Sequence, residues 1–289
     1  MALTAAAGQR TSRLTRFVPR WTGVVLNYAL LFLIALIFIG PFLMMLLAAL
    51  TPNQFYLVFP PVTDPRRMGF GNFETLFSSS LMPRWILNSF VVSGAITFLQ
   101  PFTSALAAYV FARKSLPGLN VLFWSLMITI MVPGIVTLIP FYIYMSKVQW
   151  VDTYHVLIWP HSVSVFGIFF LRQAIVSIPR EYDEAARLDG CADRQILWYV
   201  IVPMIRPSLA TLATLVFLNV WTEYLYPLVM ITSNQLLTLE VGLATFQSAE
   251  GNQSLRMASA ALSFVPTLVV FLALQKHIVK GLHMTGIKG

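Results

Sequence analysis

The sequence predicts an all-α, polytopic membrane protein with six transmembrane helices and short surface helices between the fourth and fifth spans. The first observation is composition: 57% of the 289 residues are hydrophobic and only 10% are charged, whereas soluble domains carry about 25% charged residues. The second is a set of apolar runs long enough to cross the roughly 30 Å hydrocarbon core of a bilayer. The third is one densely charged segment between two of those runs, which lipid does not accommodate.

Five spans are predicted from runs without a charged residue, each close to or above the roughly 18–20 residues that a transmembrane helix needs. These runs cover residues 21–50, 85–112, 115–146, 153–171 and 257–275. A sixth run, 207–230, is interrupted only by Glu223. The predicted organisation is one membrane domain over 21–280, with an N-terminal segment 1–20 and a C-terminal tail 281–289, in contact with membrane lipid.

The distribution of lysine and arginine predicts the orientation, because cytoplasmic loops carry an excess of both. With six spans the termini lie on one side, and that side holds fourteen of the 19 cations. Both termini and the charged segment are therefore predicted to be cytoplasmic. The first run is much longer than the apolar part of a signal peptide, so it is expected to stay as an anchor. No nucleic-acid partner is expected, since the cations are spread over short loops without interleaved aromatic residues.

Two features of the spans and loops leave alternatives open. The segment 51–84 is rich in proline and phenylalanine, which indicates a turn-rich loop that is either an inert connector or a docking surface. Prolines inside or near the spans predict bent helices, either around a partly wet pathway or as ordinary kinks. The sequence contains no internal repeat that would indicate two related halves.

The charged segment, residues 180–194, holds five of the 11 acidic residues of the chain. Arg180 to Leu188 is rich in helix formers, with acids in the first turn where the helix dipole favours them. Asp189-Gly190 predicts a turn, and residues 192–202 predict a second helix that ends at Pro203. We call the region 180–207 the charged loop. Docking of a soluble partner is favoured over a helix lying on headgroups, because five acids are unfavourable beside an anionic leaflet.

Small residues give the charged loop a shape suited to docking. Ala185 and Ala186 carry almost no side-chain bulk, so the backbone of another protein could approach them closely. Glu184, Asp189 and Gly190, with Pro203 and Pro207, complete a pattern spread over some 24 residues. This pattern resembles the EAA motif of permease subunits in binding-protein-dependent ABC importers.

The resemblance extends over most of the chain and is closest to the maltose-type carbohydrate permeases. It is carried by six further stretches: Asn88-Ser89, Ala107-Ala108-Tyr109 with Arg113, 150–153, 221–227, 238–243 and the tail 281–289. Two positions depart from the family pattern, since Cys191 stands where alanine is usual and Thr222 where asparagine is common.

The resemblance implies a function and a set of partners. It implies a permease subunit of a bacterial or archaeal inner membrane, which pairs with a second homologous permease to enclose a sugar pathway. A dimeric cytoplasmic ATPase would receive the coupling helices of the charged loop in a cleft, with a possible contact to the C-terminal tail. An extracytoplasmic sugar-binding protein would supply the cargo; another polar solute, such as glycerol phosphate, is the alternative.

Glu223 is the one acid inside a predicted span, where an ionisable residue costs roughly 2.5–3.5 kcal/mol on insertion scales. It is therefore expected to face a cavity, the bundle interior or a partner. Asn219, Tyr224 and Tyr226 lie nearby and offer groups that suit a passing sugar, so we take them with Glu223 as candidate pathway residues. The alternative is structural: Glu223 hydrogen-bonds a neighbouring helix, or caps carbonyls freed by Pro227.

Catalytic and metal chemistry are not expected from this sequence. It has no Gly-x-Ser-x-Gly and no His-Glu-x-x-His motif, which argues against an intramembrane enzyme. A secondary transporter is disfavoured because only Glu223 offers an ionisable group at membrane depth. His155 and His161 are interpreted as packing or interfacial residues and Cys191 as a small buried residue. With no phosphate-binding loop, the chain is expected to hold no cofactor, while ATP and Mg²⁺ bind to the partner ATPase.

Overall fold

The computed structural model describes residues 20–52, 65–78, 81–249 and 252–285, and side chains for 24–52, 66–78, 81–245 and 252–273. These residues form helices and connecting turns, without a β-strand in the described ranges. The helices are α1 Arg20–Leu50, α2 Gly71–Ser78, α3 Met82–Arg113, α4 Leu119–Thr129, α5 Gly134–Lys147, α6 Tyr154–Ile158, α7 Val165–Val176, α8 Glu181–Leu188, α9 Asp193–Met204, α10 Arg206–Trp221, α11 Leu225–Met230, α12 Leu239–Ala249 and α13 Gln253–Thr285.

Four stretches of the described chain are long and apolar enough to cross a membrane on their own: Val24–Leu50, Met82–Arg113, Tyr154–Val176 and Gln253–Ala273. Two bent pairs of helices raise the number to six if each pair is one span. The predicted all-α polytopic fold is thereby confirmed. Residues 1–19 and 286–289 of the predicted terminal segments lie outside the described residues, as do residues 53–64 and 79–80 of the proline-rich stretch 51–84.

The third predicted span is not one straight helix, because α4 and α5 meet at an angle of 100°. The last amides of α4 bond only three residues back, as from Ile130 N to Met127 O at 3.2 Å. Pro133 then adopts an extended conformation, with φ −60° and ψ 128°. Proline has no amide hydrogen and disfavours a helical conformation in the residue before it, so the helix ends here and restarts in a new direction.

The predicted span 207–230 is likewise divided, with the break at Glu223 between α10 and α11. The amide of Glu223 bonds back to Val220 O at 3.3 Å, a short-range bond that closes α10. Its Oε1 accepts a hydrogen bond from Tyr226 N–H at 3.2 Å, at the start of α11. The alternative in which Glu223 caps carbonyls freed by Pro227 is therefore corrected, because a carboxylate accepts hydrogen bonds and Glu223 caps an amide.

The core of the bundle lies around α3, which packs between α7 and α10, while α13 packs against α10 and α1. Glycine allows α7 to approach α3 closely, since a Cβ on Gly167 of α7 would lie 2.5 Å from Ser104 Oγ of α3. By contrast, α1, α4 and α5 expose large apolar side chains, including Phe38, Trp124 and Ile139. Such surfaces match the environment of lipid hydrocarbon or another membrane subunit.

At the N-terminal end of α3, opposite the end that carries Arg113, three side chains bind the segment 231–239, which we call the strap. Trp85 Nε1 donates to Asn234 O at 2.7 Å, and Asn88 Nδ2 donates to Gln235 O and Leu237 O at 2.9 and 2.8 Å. Ser89 Oγ accepts from Leu239 N–H at 2.8 Å. The strap is therefore fixed to the first turns of α3 by neutral hydrogen bonds.

The loop before α6 fixes the other half of the strap. Asp152 Oδ1 accepts from the amides of Thr232 and Ser233 at 3.0 and 2.9 Å, and Tyr154 OH donates to Asn88 Oδ1 at 2.6 Å. Three of the motifs that carry the family resemblance, at 88–89, 150–153 and 238–243, thus meet at one place. Their spacing along the chain gave no sign of this contact.

Candidate coupling surface and pathway cavity

The charged loop forms two helices, α8 and α9, at the end of α3 that carries Arg113. Glu184, Ala185, Asp189 and Gly190 are all exposed. Ala186 is only 8% exposed and packs into the bundle. The prediction that both alanines face a partner needs correction, because neighbouring residues on a helix point about 100° apart and Ala186 lies on the face of α8 that packs against the bundle.

The turn after α8 is a Schellman motif, which closes a helix with a left-handed residue. Gly190 has φ +83°, Cys191 N–H bonds Ala186 O at 2.9 Å, and Gly190 N–H bonds Arg187 O at 3.0 Å. A side chain on Gly190 would meet no atom within 4 Å, so glycine is required by the backbone and not by crowding. Cys191 is half-buried, more accessible than its interpretation as a buried residue implied.

The second helix ends at Met204, one residue beyond the predicted end at Pro203. Residues Ile196–Ile201 form a π-helical turn in which Val202 N–H bonds Leu197 O, five residues back. Proline lacks an amide hydrogen and its ring clashes with the carbonyl four residues earlier in a regular helix. The wider π turn accommodates the ring, so Pro203 lies in the last turn of α9, and the chain then turns by 78° between α9 and α10.

A buried ion pair anchors α8 to α3. Arg113 Nε lies 2.7 Å from Asp183 Oδ2, with the two side chains 4% and 3% exposed. Arg113 Nη2 also donates to Ile178 O at 2.9 Å, just before the charged loop. Sequence reasoning placed Arg113 and Asp183 among surface charges and missed this pair. The only signal was that Arg113 belongs to a stretch of the family resemblance and that Asp183 directly precedes Glu184-Ala185-Ala186.

A second, exposed set of charges joins α3 to α9. Lys114 Nζ forms a salt bridge with Asp193 Oδ2, and Arg187 Nη2 lies 3.6 Å from Asp193 Oδ1. The hydrogen bond from Lys114 and the nearby cations hold the pKa of Asp193 below its usual value. Both helices of the charged loop are therefore tied to the same end of α3, one by a buried pair and one by a solvated pair.

Three apolar side chains on the charged loop are exposed, and sequence reasoning did not single them out. Leu188 is 90% exposed, Tyr199 77% and Tyr182 51%. Large apolar groups that face solvent among charges are typical of protein interfaces. The signal available in the sequence was the position of Tyr182 and Leu188 beside the Glu-Ala-Ala and Asp-Gly residues.

The candidate pathway residues lie elsewhere, around a cavity bounded by α3, the 157–161 region, α10, α11 and the strap. This inner cavity, of about 30 Å³, is lined by Asn219, Glu223 and Tyr226, together with His161 and Thr238. An adjoining cavity of about 260 Å³ shares His161 and Asn219 and adds Gln100 and Ser164. Tyr224 is exposed and does not line either cavity.

The geometry of this cavity is set by groups fixed to the backbone. Tyr226 OH donates to Val156 O at 2.8 Å, and the His161 ring packs edge-on against the Tyr226 ring with centroids 4.5 Å apart. His161 is thus a packing residue, as predicted, but it also faces the cavity. Among the described residues no group of three His, Cys, Asp or Glu side chains is arranged to hold a metal ion.

A polytopic helical bundle with an exposed Glu-Ala-Ala helix, tied to the bundle by ion pairs, is the architecture expected of a transport permease. Residues 102–284 match the family model described as the inner membrane component of binding-protein-dependent transport systems. The chain belongs to this family, and it is a multi-pass membrane protein that acts in transport and not in catalysis.

Relatives and a solved structure agree with this assignment. The arabinooligosaccharides transport system permease protein AraQ of Halalkalibacterium halodurans is 34% identical over 264 residues, covering 89% of this chain and 93% of the relative. The sn-glycerol-3-phosphate transport system permease protein UgpE of Yersinia pestis is 32% identical over 219 residues, covering 74% and 75%. A bacterial ABC transporter involved in the import of the acidic polysaccharide alginate has the same fold, with TM-score 0.76, 22% identity and coverage of 89% and 96%.

Proposed function

We propose that the chain is one permease subunit of an ATP-driven, binding-protein-dependent sugar importer. The observation that carries the proposal is the exposed surface of α8, built from Glu184, Ala185 and the Asp189-Gly190 turn and held to α3 by the Arg113–Asp183 pair. The relative AraQ, named for arabinooligosaccharides, supports a sugar as cargo. The relative UgpE supports a polar phosphate ester as the second candidate.

The proposed assembly contains this chain, a second homologous permease, a dimeric cytoplasmic ATPase that binds ATP and Mg²⁺, and an extracytoplasmic sugar-binding protein. The excess of cations on the side of the termini supports a cytoplasmic location for both termini and for the charged loop. The apolar faces of α1, α4 and α5 are available for lipid and for the second permease.

In this proposal α8 transmits the closure of the ATPase dimer to the bundle. Glu184, Ala185, Asp189 and Gly190 form the outer contact, and Leu188 fills an apolar pocket of the ATPase. Ala186 and Pro203 act on the inner side, where α8 packs and α9 turns toward α10. A displacement of α8 moves α3 through the Arg113–Asp183 pair, and moves α10 through α9.

The pathway is proposed to run past the cavity lined by Asn219, Glu223 and Tyr226, since α10 and α11 connect it directly to the charged loop. A helix broken at Glu223 leaves polar groups at membrane depth, which is tolerated where the backbone lines a cavity. Tyr224 lies outside both cavities, and its pathway role remains a prediction that a Tyr224→Phe transport assay would check.

The test is co-purification of the complex, followed by measurement of ATPase activity with binding protein loaded with an arabinooligosaccharide or with glycerol phosphate. We expect stimulation by the sugar-loaded protein, and loss of that stimulation in Glu184→Ala with assembly intact. Glu181→Ala is the matched control, because it removes the same charge from the first residue of α8, outside the Glu-Ala-Ala contact. Stimulation by glycerol phosphate alone would replace the sugar assignment, and full coupling in Glu184→Ala would refute the role of α8.

A further inference from the structure

The two cavities beside Glu223 together have the size of a small binding site. The inner cavity of about 30 Å³ has room for one or two water-sized groups, since a water needs about 10–15 Å³. The adjoining cavity of about 260 Å³ approaches the lower limit, about 300 Å³, of small-molecule sites. His161 and Asn219 line both cavities, so a molecule in the larger one can place a polar group in the smaller one.

The strap supplies a hydroxyl whose hydrogen-bonding capacity is unused. Thr238 lines the inner cavity and is only 6% exposed. Its Oγ1 has no hydrogen-bond partner among the described residues. A buried hydroxyl without a partner is costly, and a ligand or water in the cavity would satisfy it.

The remaining groups around the inner cavity can both accept and donate. His161 Nδ1 lies 3.1 Å from Leu157 O, and a carbonyl only accepts, so Nδ1 carries the hydrogen and Nε2 of the neutral ring is an acceptor. Asn219 offers an amide with two donors and one acceptor oxygen, and Glu223 offers carboxylate oxygens. Hydroxyl groups, which donate and accept at once, match this mixture.

Charge makes the site selective. Neither cavity is lined by a lysine or arginine of the described chain, and no ion pair found there includes Glu223. A carboxylate that no cation offsets attracts hydroxyl donors, and it repels a second anion strongly where the effective dielectric constant is low. Extending the pathway role proposed above, we infer that His161, Asn219, Glu223 and Thr238 bind hydroxyls of an uncharged cargo and exclude carboxylate- or phosphate-bearing cargo.

A charge-sensing experiment on the assembled complex tests this inference without knowledge of the natural cargo. Asn219→Cys is introduced in a Cys191→Ala background, with Gln100→Cys as a second reporter in the adjoining cavity. Each thiol is modified by cationic trimethylammonioethyl and anionic sulfonatoethyl methanethiosulfonate, with rates normalised to a free thiol in solution. We expect the cationic reagent to be favoured, and Glu223→Gln to lower that preference at least about tenfold. Glu74→Gln, which removes an exposed acid on α2, should leave the preference unchanged.

Protection of the same thiols tests the cargo class. Arabinotriose and lactose should slow modification severalfold, whereas lactobionate, which is lactose oxidised to carry a carboxylate, should protect only when Glu223→Gln is present. The inference is overturned if Glu223→Gln leaves the preference for the cationic reagent unchanged in both reporters. It is also overturned if lactose and lactobionate protect the thiols equally while Glu223 is present. Failure of the proposed function is detected by a separate measurement: the assembled complex would import no sugar, whichever reagent modifies the thiols faster.

Discussion

The two ends of helix α3 are fastened in different ways. At one end Arg113 and Lys114 hold the charged loop through ion pairs with Asp183 and Asp193. At the other end Trp85, Asn88 and Ser89 hold the strap through neutral hydrogen bonds to its backbone. One helix thus connects the proposed ATPase contact to the strap that lines the inner cavity.

The difference indicates which end is built to move. A neutral hydrogen bond to a fixed carbonyl demands one geometry, while charges attract over a longer range and tolerate displacement. Force on α8 can therefore tilt the charged loop without breaking its attachment, while the strap keeps its register on α3. Four measurements would break or sharpen this comparison.

The largest effect is expected from Arg113→Met, which leaves the Asp183 carboxylate buried without its partner. Loss of one member of a buried pair costs about 3–5 kcal/mol, to be measured as the free energy of unfolding of the protein in detergent. The double variant Arg113→Met, Asp183→Leu should recover much of that loss, since apolar groups of similar size replace the pair. Arg180→Met removes an exposed cation nearby and serves as control; an equal cost for Arg113→Met and Arg180→Met would contradict the anchor.

The next effect is expected at the strap, from Asn88→Ala. The change leaves two strap carbonyls and the Tyr154 hydroxyl unpaired, and each buried unsatisfied group costs about 1–3 kcal/mol. A double-mutant cycle with Tyr154→Phe should give a coupling energy of about 0.5–3 kcal/mol, unchanged by salt. Asn120→Ala, at an exposed asparagine, is the control. Strictly additive effects of Asn88→Ala and Tyr154→Phe would show that the two side chains act independently.

A smaller effect, about 1–2 kcal/mol, is expected from Gly190→Ala, because a non-glycine residue at φ +83° is strained. Gly118→Ala is a matched control at φ +80°, also without an atom within 4 Å of the added Cβ. Both variants should lose similar stability in a thermal unfolding assay. Only Gly190→Ala should reduce ATPase stimulation by the loaded binding protein, and equal coupling loss in both would remove the special role of the charged loop.

The smallest effect concerns pH and salt. The pKa of Asp193 is lowered by its hydrogen bond to Lys114 and the nearby cations. For Asp152, partial burial favours the neutral form, but hydrogen bonds from Ser233 and Thr232 outweigh it and lower the pKa. Both depressed pKa values stabilise the fold above the usual pKa of about 3.9, and this contribution is lost as the pH falls through the lowered values.

Salt separates these two carboxylates. The exposed Asp193 pairs contribute under about 1 kcal/mol and should weaken in 1 M salt, where the Debye length is about 3 Å. The hydrogen bonds of Asp152 should not weaken. The measurement is the melting temperature of Asp193→Asn and Asp152→Asn across acidic pH at low and high salt. Equal salt sensitivity of the two variants would contradict the comparison, because it would show that the attachments at the two ends of α3 depend on salt to the same extent.

The sequence predicted some elements of the fold and not others, and particular residues show the difference. The spans at α1, α3 and α13 follow directly from apolar length, and the helix-turn-helix of the charged loop follows from its helix formers and Gly190. The breaks at Pro133 and Glu223 were not placed, because a proline or an acid in an apolar run is compatible with a continuous kinked helix. Ala186 was placed on the wrong face of α8, since composition does not reveal which face of a short helix packs inward.

The sequence by itself determined the fold class and the family and singled out the segment proposed to meet a soluble partner, because hydrophobic length, charge density and motif spacing act locally along the chain. Only the tertiary structure decided that Arg113 pairs with Asp183, that Asn88 and Asp152 hold one strap, and that Thr238 meets Glu223 across a cavity. The ion pair joins residues 70 positions apart, and the strap contacts of Asn88 and Asp152 join residues 80 to 149 positions apart. Such contacts depend on how the helices pack in three dimensions, which no local pattern of the chain encodes.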